Sequence, residues 1–422
     1  MKGNTTWMPK RKIAPVATAV GVALMAAACG SSSSASTSTQ SGSGTTVANK
    51  APIIVGLAAP LTGGNPSEGT SEETIAKDAV AAINKAGGVD GHPLSLLVRD
   101  TGGVSPTGAV SAFESLSSSG AAVVLGEWTS TNFQAACTVA MAEHVVLIAH
   151  ASATDGLTNG MTYCFRDEYQ VAQSTGAMFG VARANGWTKI AIAADSTSFG
   201  AAEADSWASL AGSYGASIVA NVNWASPATD LTAQVAKIAS SGAQAVFVGS
   251  GSGPDVTLLA KTMAQMNVKL PIFGPGGINA PGVAAAAASA YNTLPEVLNI
   301  TSYDSSVPKE KAFMDKISAQ TGISQGGGNP TRLWDAFQIA AAGLKASHGK
   351  GGLALVNALQ GLGKFPTLAG GPGSYVQFTA TQHSGLFGPE MLSVYKWDKG
   401  SSSFVYDASL SKLADASPGV NG

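Results

Sequence analysis

The chain has 422 residues, of which 12% are charged and 45% hydrophobic, and its formal net charge is −2. This length suffices for two or three domains with large buried cores, and the weak charge gives no basic surface of the kind that binds nucleic acid. The composition, with 51 Gly, excludes a coiled coil and an acidic disordered chain. The scattered His and Cys residues predict neither a metal site nor a cofactor.

The first 28 residues are predicted to be a secretory signal. Four basic residues between positions 2 and 12 precede an uncharged run from residue 13 to 28. This order of a basic and then an apolar segment is typical of a signal peptide, and the run is shorter than the ~20 residues of a membrane-spanning helix. The sequence Ala-Ala-Ala-Cys at 26–29 resembles the lipobox of bacterial lipoproteins, which implies lipidation of Cys29. An ordinary secreted protein, cut nearby, is the alternative.

Residues 29–50 are predicted to be the lipidated Cys and a linker, because the segment is rich in Ser, Thr and Gly and has no apolar face. Residues 416–422 are expected to be a tail. Outside the cell, thiols tend to pair, so we expect a disulfide between Cys137 and Cys164. Two separate buried thiols are the alternative.

From residue 51 onward, short apolar runs alternate with helical patterns. A capping box of Thr70 and Glu73 is predicted to begin the first helix. The alternation of strands and helices predicts a parallel sheet covered on both faces. The first set of strands is predicted at Ile53–Leu57, Leu94–Val98, Ala121–Leu125 and Val145–Ile148.

The same alternation then begins again and predicts a second sheet. The fold class is therefore α/β, with two doubly wound parallel-sheet lobes around a ligand cleft, because such sheets bind ligands beyond the carboxyl ends of their strands. The second set of strands is predicted at Lys189–Ala193, Ser217–Val222, Ala245–Val248 and Pro271–Phe273.

No hydrolase, zinc-protease or P-loop motif occurs in the sequence. The run Gly249–Gly253 has Pro254 where a dinucleotide-binding loop needs its third Gly. The sequence therefore does not predict an enzyme.

Several motifs resemble the type I periplasmic binding proteins of branched-chain amino acid ABC transporters, over most of residues 51–412. The run at 83–91, Ile-Asn-Lys-Ala-Gly-Gly-Val-Asp-Gly, is similar to that family's I-N-x-x-G-G-[IV]-x-G. Further similar segments stand in the family's order at 60–63, 126–131, 151–154, 163–166, 195–200, 229–231 and 334–337.

The resemblance implies a Venus-flytrap fold with interleaved lobes: 51–168 plus 302–368 form the first, and 169–301 plus 369–415 the second. It implies an extracytoplasmic, lipid-anchored monomer that captures a small polar solute, such as an amino acid, amide or carboxylate. The solute would pass to an ABC permease, driven by its ATPase subunits. Neither nucleic acid nor a cofactor is implied.

The resemblance also implies a set of ligand-contacting residues. Ser130 is expected to cap a helix whose N-terminus favours an anion, such as a ligand carboxylate. Phe199 corresponds to the aromatic residue that closes over the ligand from the second lobe. The other expected contacts are Trp128, Thr131, Ala151, Ser152, Ala153, Thr154, Gly276 and Glu68.

Gly276 departs from the family pattern. It stands where the family often has a Glu that pairs with the ligand ammonium, and a buried ammonium without a carboxylate is costly. Either another acid, such as Glu68 or Glu127, replaces that Glu, or the ligand is not an α-amino acid. Asp195 is expected to order its own turn.

The sequence is also compatible with three other functions. A ligand-sensing lipoprotein would use the same cleft to report to a signalling partner. An extracellular enzyme would need convergent acid and base groups in the cleft. A cell-wall adhesion protein would carry an extended nonpolar patch.

Overall fold

The computed structural model describes residues 50–415. The predicted signal segment, Cys29, nearly all of the linker and the tail at 416–422 lie outside these residues. Among residues 50–415, no helix combines the length and the apolar character needed to cross a membrane.

The strands of the described residues, in chain order, are β1 Ile53–Ala59, β2 Leu94–Asp100, β3 Val123–Gly126, β4 Val146–Ala149, β5 Cys164–Arg166, β6 Lys189–Asp195, β7 Ser217–Trp224, β8 Ala245–Gly249, β9 Ile272–Gly274, β10 Val297–Thr301, β11 Phe365–Pro366, β12 Tyr375–Val376, β13 Leu386–Phe387, β14 Ser393–Asp398 and β15 Ser403–Tyr406.

The α-helices of the same residues are α1 Pro66–Lys85, α2 Pro106–Ser118, α3 Ser130–Glu143, α4 Val171–Ala184, α5 Ser198–Leu210, α6 Thr232–Ala239, α7 Gly253–Gln265, α8 Val283–Tyr291, α9 Pro308–Thr321, α10 Asn329–Ala346, α11 Gly352–Gln360 and α12 Ala408–Asp415.

Two large sheets organise the described chain. The first has the order β2-β1-β3-β4-β5 and is parallel throughout. The second has the order β15-β14-β10-β9-β8-β6-β7. It is parallel from β10 to β7 and ends in an antiparallel hairpin, β14-β15. We call the first sheet and the helices packed on it lobe I, and the second sheet with its helices lobe II. The predicted α/β class with two parallel-sheet lobes is confirmed.

Each sheet is buried on both faces, because successive strand residues point to opposite sides. In β3, Val123 and Leu125 pack with α1, α10 and α11, whereas Val124 packs with α2 and α3. In β8, Val246 and Val248 contact the cluster that contains α6, α7 and α8, whereas Phe247 packs with α4, α5 and α12. Helices from late in the sequence thus complete lobe I.

The chain passes between the sheets after β5, after β10 and before β14. The predicted third crossing, at residue 369, is wrong. Val376, Phe378 and Leu386 pack into the lobe I core, because a small antiparallel sheet, β11-β12-β13, covers its edge. The return to lobe II therefore follows Phe387.

The predicted start of the first helix is also wrong. Helix α1 begins at Pro66, where proline's missing N–H costs no helical hydrogen bond. Thr70 lies inside the helix, and its hydroxyl donates to the Pro66 carbonyl. The local capping pattern was therefore outweighed by proline at the helix start.

Candidate functional site

A cleft lies between the two lobes, at the carboxyl ends of their strands. This is the position where open parallel sheets bind ligands. Most of its lining comes from loops that follow β3, β4, β5, β6, β8 and β9, and the rest comes mainly from β10 and the start of α10. The lining includes Trp128, Thr129, Ala151, Ala153, Glu168, Tyr169, Asp195, Thr197, Phe199, Gly251, Ser252, Gly276, Thr301, Asn329 and Arg332.

Thr129, not Ser130, caps the N-terminus of α3. The Thr129 hydroxyl accepts a hydrogen bond from the Asn132 N–H at 3.2 Å, and Thr129 lines the cleft. Ser130 is the first helical residue and is fully buried, and its hydroxyl accepts from the Thr154 N–H at 3.3 Å. The predicted cap is thus wrong by one residue, because Thr129 has the extended backbone of a cap.

Three other predicted contacts lie outside the cleft lining. The Ser152 hydroxyl donates to the Glu127 carbonyl. Thr131 and Thr154 instead join the lobes through Ser198, at the start of α5. The Thr131 hydroxyl accepts from the Ser198 N–H at 2.9 Å, and the Thr154 hydroxyl donates to the Ser198 carbonyl at 3.1 Å. These two threonines therefore hold the lobes together at one edge of the cleft.

The cleft brings together five of the predicted residues, namely Trp128, Ala151, Ala153, Phe199 and Gly276. Phe199 of lobe II packs against Ala153 of lobe I, so an aromatic ring bridges the lobes. Gly276 has a φ of 58°, which favours glycine, and a Cβ there would lie 3.2 Å from the Ser250 carbonyl oxygen. Whether these residues contact a ligand stays a prediction.

Asp195 is a cleft residue for which sequence reasoning predicted only a turn. Its Oδ1 does order the turn, because it accepts hydrogen bonds from the Thr197 N–H and hydroxyl. Its buried Oδ2 makes no hydrogen bond of ordinary geometry, although the Ser250 hydroxyl is close enough to lower its pKa. Burial outweighs these contacts and raises the pKa of Asp195. Lobe II thus presents a carboxylate to the cleft.

An ion pair between Glu168 and Arg332 forms part of the cleft floor in lobe I. Glu168 Oε2 lies 2.6 Å from Arg332 Nη2, and both side chains are 3% exposed. The guanidinium also donates to the His150 carbonyl at 2.7 Å and to the Ser302 hydroxyl. Its carbon lies 5.7 Å from the centre of the Tyr169 ring. Burial raises the pKa of Glu168 to about 7, opposed by the two arginines, 332 and 166.

The two acids expected to replace the family's Glu do not line the cleft. Glu68 lines a neighbouring recess and accepts a hydrogen bond from Asn329 at 3.1 Å. Glu127 is fully buried. Burial raises the pKa of Glu68 to about 7 and that of Glu127 to about 8. Asp195 and Glu168 are the carboxylates that face the cleft, and sequence reasoning missed Glu168 although it follows a strand end.

Cys137 of α3 and Cys164 of β5 form a disulfide, with their Cα atoms 5.9 Å apart. The bond fastens α3, which carries the Thr129 cap, to the edge strand of the lobe I sheet. One wall of the cleft is therefore covalently braced.

A sequence profile described as "Periplasmic binding protein" matches residues 52–401. The Leu/Ile/Val-binding protein BraC3 of Rhizobium johnstonii is 26% identical over 362 residues, which cover 83% of this chain and 93% of that protein. The Leu/Ile/Val-binding protein homolog 1 of Brucella abortus is 27% identical over 364 residues, covering 83% of this chain and 91% of the relative. The resemblance predicted from the sequence is confirmed.

Solved structures share the fold at low sequence identity. The substrate-binding protein LivJ of Streptococcus pneumoniae, in complex with isoleucine, superposes with a TM-score of 0.71 at 22% identity, covering 84% of this chain and 100% of that chain. A solute-binding protein of an ABC transporter from Rhodopseudomonas palustris, in complex with 3,4-dihydroxybenzoic acid, gives a TM-score of 0.70 at 19% identity, covering 82% and 93%. Since the profile spans most of the sequence, the chain belongs to the periplasmic binding protein family, whose members are extracytoplasmic solute-binding proteins and not enzymes.

Proposed function

We propose that the protein captures a small amino acid as a zwitterion in the cleft and delivers it to an ABC permease. The observation that carries this proposal is the pairing of opposite polarities across the cleft. Lobe I presents the N-terminus of α3 at Thr129, and lobe II presents the Asp195 carboxylate. A ligand with one negative and one positive end matches both.

The α-carboxylate is proposed to lie at the start of α3. The first N–H groups of a helix have no partner within the helix, and the helix dipole favours a negative charge there. The Thr129 hydroxyl is a further polar group on the same wall, and the Trp128 ring lies beside it in the cleft lining.

The ammonium is proposed to pair with Asp195. This carboxylate would replace the Glu that the family often has at the position of Gly276. The Oδ2 atom is buried and has capacity for a further hydrogen bond. A bound ammonium would favour the charged carboxylate, whose pKa burial alone raises. The side chains of Tyr169, Phe199, Ala151 and Ala153 give the cleft an apolar lining of the kind that an aliphatic side chain would contact.

The relatives support this ligand class and supply one competitor. Two are named as Leu/Ile/Val-binding proteins, and LivJ is described with isoleucine. The Rhodopseudomonas protein is described with an aromatic acid, which has a carboxylate but no ammonium. An amino acid has an ammonium that could pair with Asp195, whereas the aromatic acid has none.

Delivery is proposed to follow lobe closure. The hydrogen bonds of Thr131 and Thr154 to Ser198 form only when the lobes approach, and a ligand touching both lobes would favour that state. A lipid on Cys29 would hold the protein at the membrane, where permease and ATPase subunits act. The mature chain is proposed to work as a monomer.

Titration calorimetry with four ligands tests the proposed ligand. Leucine carries both charged ends, 4-methylpentanoic acid lacks the ammonium, isopentylamine lacks the carboxylate, and 3,4-dihydroxybenzoic acid represents the competing class. We expect leucine to bind and both single-ended analogues to bind at least about 10-fold more weakly, which is roughly one lost charged hydrogen bond. Tighter binding of the aromatic acid than of leucine would contradict the proposal.

The variant Asp195→Asn should weaken leucine about 10- to 100-fold while leaving 4-methylpentanoic acid unchanged. Asp205→Asn is the matched control, because Asp205 lies on the same lobe, in α5, and is exposed. Equal affinity of leucine for both variants would remove Asp195 from the site.

A further inference from the structure

Three ligating side chains lie together beneath the cleft floor in lobe I. Glu68 and Glu72 are one helical turn apart on α1 and share a face. His150 follows β4. One donor atom from each residue lies within 4.8 Å of the other two, and the residues are 5%, 2% and 0% exposed.

His150 is oriented as a metal-ligating histidine would be. Its Nε2 lies 3.1 Å from Glu72 Oε1. Its Nδ1 is buried and has no hydrogen-bond partner among residues 50–415. A histidine with one ring nitrogen directed at acidic side chains can offer that nitrogen to a metal ion.

Glu72 supplies a separate observation that points to a missing partner. Its Oε2 is buried and has no hydrogen-bond partner among residues 50–415. Glu68 is also buried, so two carboxyl groups share this site out of contact with solvent.

The arginine that contacts His150 is held by other groups as well. The Arg332 guanidinium is engaged by Glu168, Ser302 and Asn329 and by the His150 carbonyl. Either protons or a bound cation must compensate the remaining carboxylates, because an uncompensated buried charge is costly.

We propose that Glu68, Glu72 and His150 bind one divalent transition-metal ion, such as Zn²⁺ or Mn²⁺. One imidazole with two carboxylates is a ligand set that both ions accept, and water can complete the shell. A tetrahedral ion with ligands at about 2.1 Å needs donor atoms about 3.4 Å apart, so small inward movements complete the site. The Asn329 amide, which donates to Glu68, orients that carboxylate from outside.

The proposed ion has a route from solvent. Glu68 also lines the recess between the lobes, together with Asn65, Ser67 and Lys261. Bound at this site, the ion would tie α1 to the end of β4. It would also support the cleft floor, because Asn329 and Arg332 contact the ligating residues directly. This proposal does not depend on the identity of the ligand in the cleft.

The experiment uses the purified protein after treatment with a chelator. Zn²⁺ and Mn²⁺ are titrated separately by calorimetry, the bound metal is measured by mass spectrometry, and Co²⁺ is added as a spectroscopic probe. We expect one ion per chain, a rise in Tm on metal addition, and visible Co²⁺ absorption from a mixed nitrogen and oxygen ligand set.

Glu72→Gln and His150→Gln should each weaken the ion at least 10-fold and abolish the Co²⁺ bands. Glu73→Gln, at the half-exposed neighbouring position on α1, should bind the ion as the unmodified protein does. Glu68→Gln, which keeps the contact to Asn329, serves if the other two variants fail to fold. The proposal would be overturned if none of the three metals bound at one ion per chain. It would also be overturned if Glu68→Gln or Glu72→Gln bound the ion as tightly as the control does. In either case, protons would compensate the buried carboxylates.

Discussion

The two lobes line the same cleft with different chemistry. Lobe I surrounds its side of the cleft with buried charged groups, including the Glu168–Arg332 pair and the Glu68, Glu72 and His150 cluster. Lobe II contributes glycine, serine and the Phe199 ring, with Asp195 as its one carboxylate in the cleft lining.

This difference indicates a division of tasks. Buried ionic contacts fix side chains in position, because breaking one of them leaves an uncompensated charge. Lobe I also has the disulfide at Cys137 and Cys164. We infer that lobe I is the rigid platform on which a solute first binds, and that lobe II responds by closing over it.

The largest expected effect is on lobe I stability in Arg332→Met. The substitution keeps much of the side-chain volume but leaves Glu168 buried without its partner, which typically costs about 3–5 kcal/mol of the free energy of unfolding. Urea unfolding measures the loss. The double variant Arg332→Met with Glu168→Leu is the control and should recover part of it. A loss below about 1 kcal/mol in the single variant would show that the pair does not brace the lobe.

Removing the disulfide should have the next largest effect. In the variant Cys137→Ala with Cys164→Ala, the unfolded chain regains the freedom of a loop whose ends are 27 residues apart, worth about 3–4 kcal/mol by chain entropy. The free energy of unfolding of the double variant, compared with the unmodified protein, measures the loss. Hydrogen exchange should locate the increased opening at α3 and β5 and leave β6 and β8 of lobe II unchanged. Equal loosening of both lobes would contradict the division.

The free energy of unfolding should depend on pH through Glu310, which contacts the connection between the lobes. Its carboxylate accepts hydrogen bonds from the Asp304 N–H, on the crossing after β10, and from the Gly371 N–H, in the loop between β11 and β12. Burial raises its pKa to about 8. Between about pH 4.5 and 8, Glu310 is therefore protonated in the folded protein but ionised in the unfolded chain. Its contribution to the free energy of unfolding is full below about pH 4.5 and is lost as pH rises towards 8.

We expect the free energy of unfolding to fall by roughly 1–3 kcal/mol from pH 5 to pH 8 through this group, since one pKa unit corresponds to about 1.4 kcal/mol. Urea unfolding at both pH values tests this in Glu310→Gln, which should show a smaller decrease. Glu114→Gln, at an exposed position of α2, should keep the full decrease. An identical pH dependence in both variants would exclude Glu310 as its source.

The smallest expected effect concerns closure of lobe II. Thr154→Val keeps the side-chain shape but removes the hydroxyl that donates to the Ser198 carbonyl. Losing one such hydrogen bond weakens the closed state by about 1 kcal/mol, or roughly 5-fold in ligand affinity, without a matching loss of stability. Calorimetric titration measures the affinity. Thr138→Val, on the exposed face of α3, is the control, and equal affinities in both variants would remove this contact from closure.

The fold could be predicted from the sequence because it depends on repeated local patterns. The predicted strands, such as Lys189–Ala193, lie within or overlap the observed ones, since apolar runs bounded by polar residues are a strong signal for buried parallel strands. The third crossing could not be located, because the short strands β11 to β13 have no such periodicity. Their placement depends on contacts of Val376 and Leu386 with the lobe I core, whose residues come from both early and late segments of the chain.

The candidate site was predicted less completely. Glu168 and Arg332 meet only through the fold, and no local pattern announces a pair so far apart in sequence. Asp195 was predicted to be a turn residue, but only the structure shows that it also lines the cleft. Thr129 differs from the predicted Ser130 by one position, which lies within the usual uncertainty of helix boundaries.

A crystal structure of the protein with leucine would show where the two charged ends of the ligand lie. We expect closed lobes, with the ligand ammonium about 3 Å from Asp195 Oδ2 and the carboxylate at the N-terminus of α3 beside Thr129. A ligand held by lobe I alone, or one bound with its ammonium directed away from Asp195, would contradict this expectation.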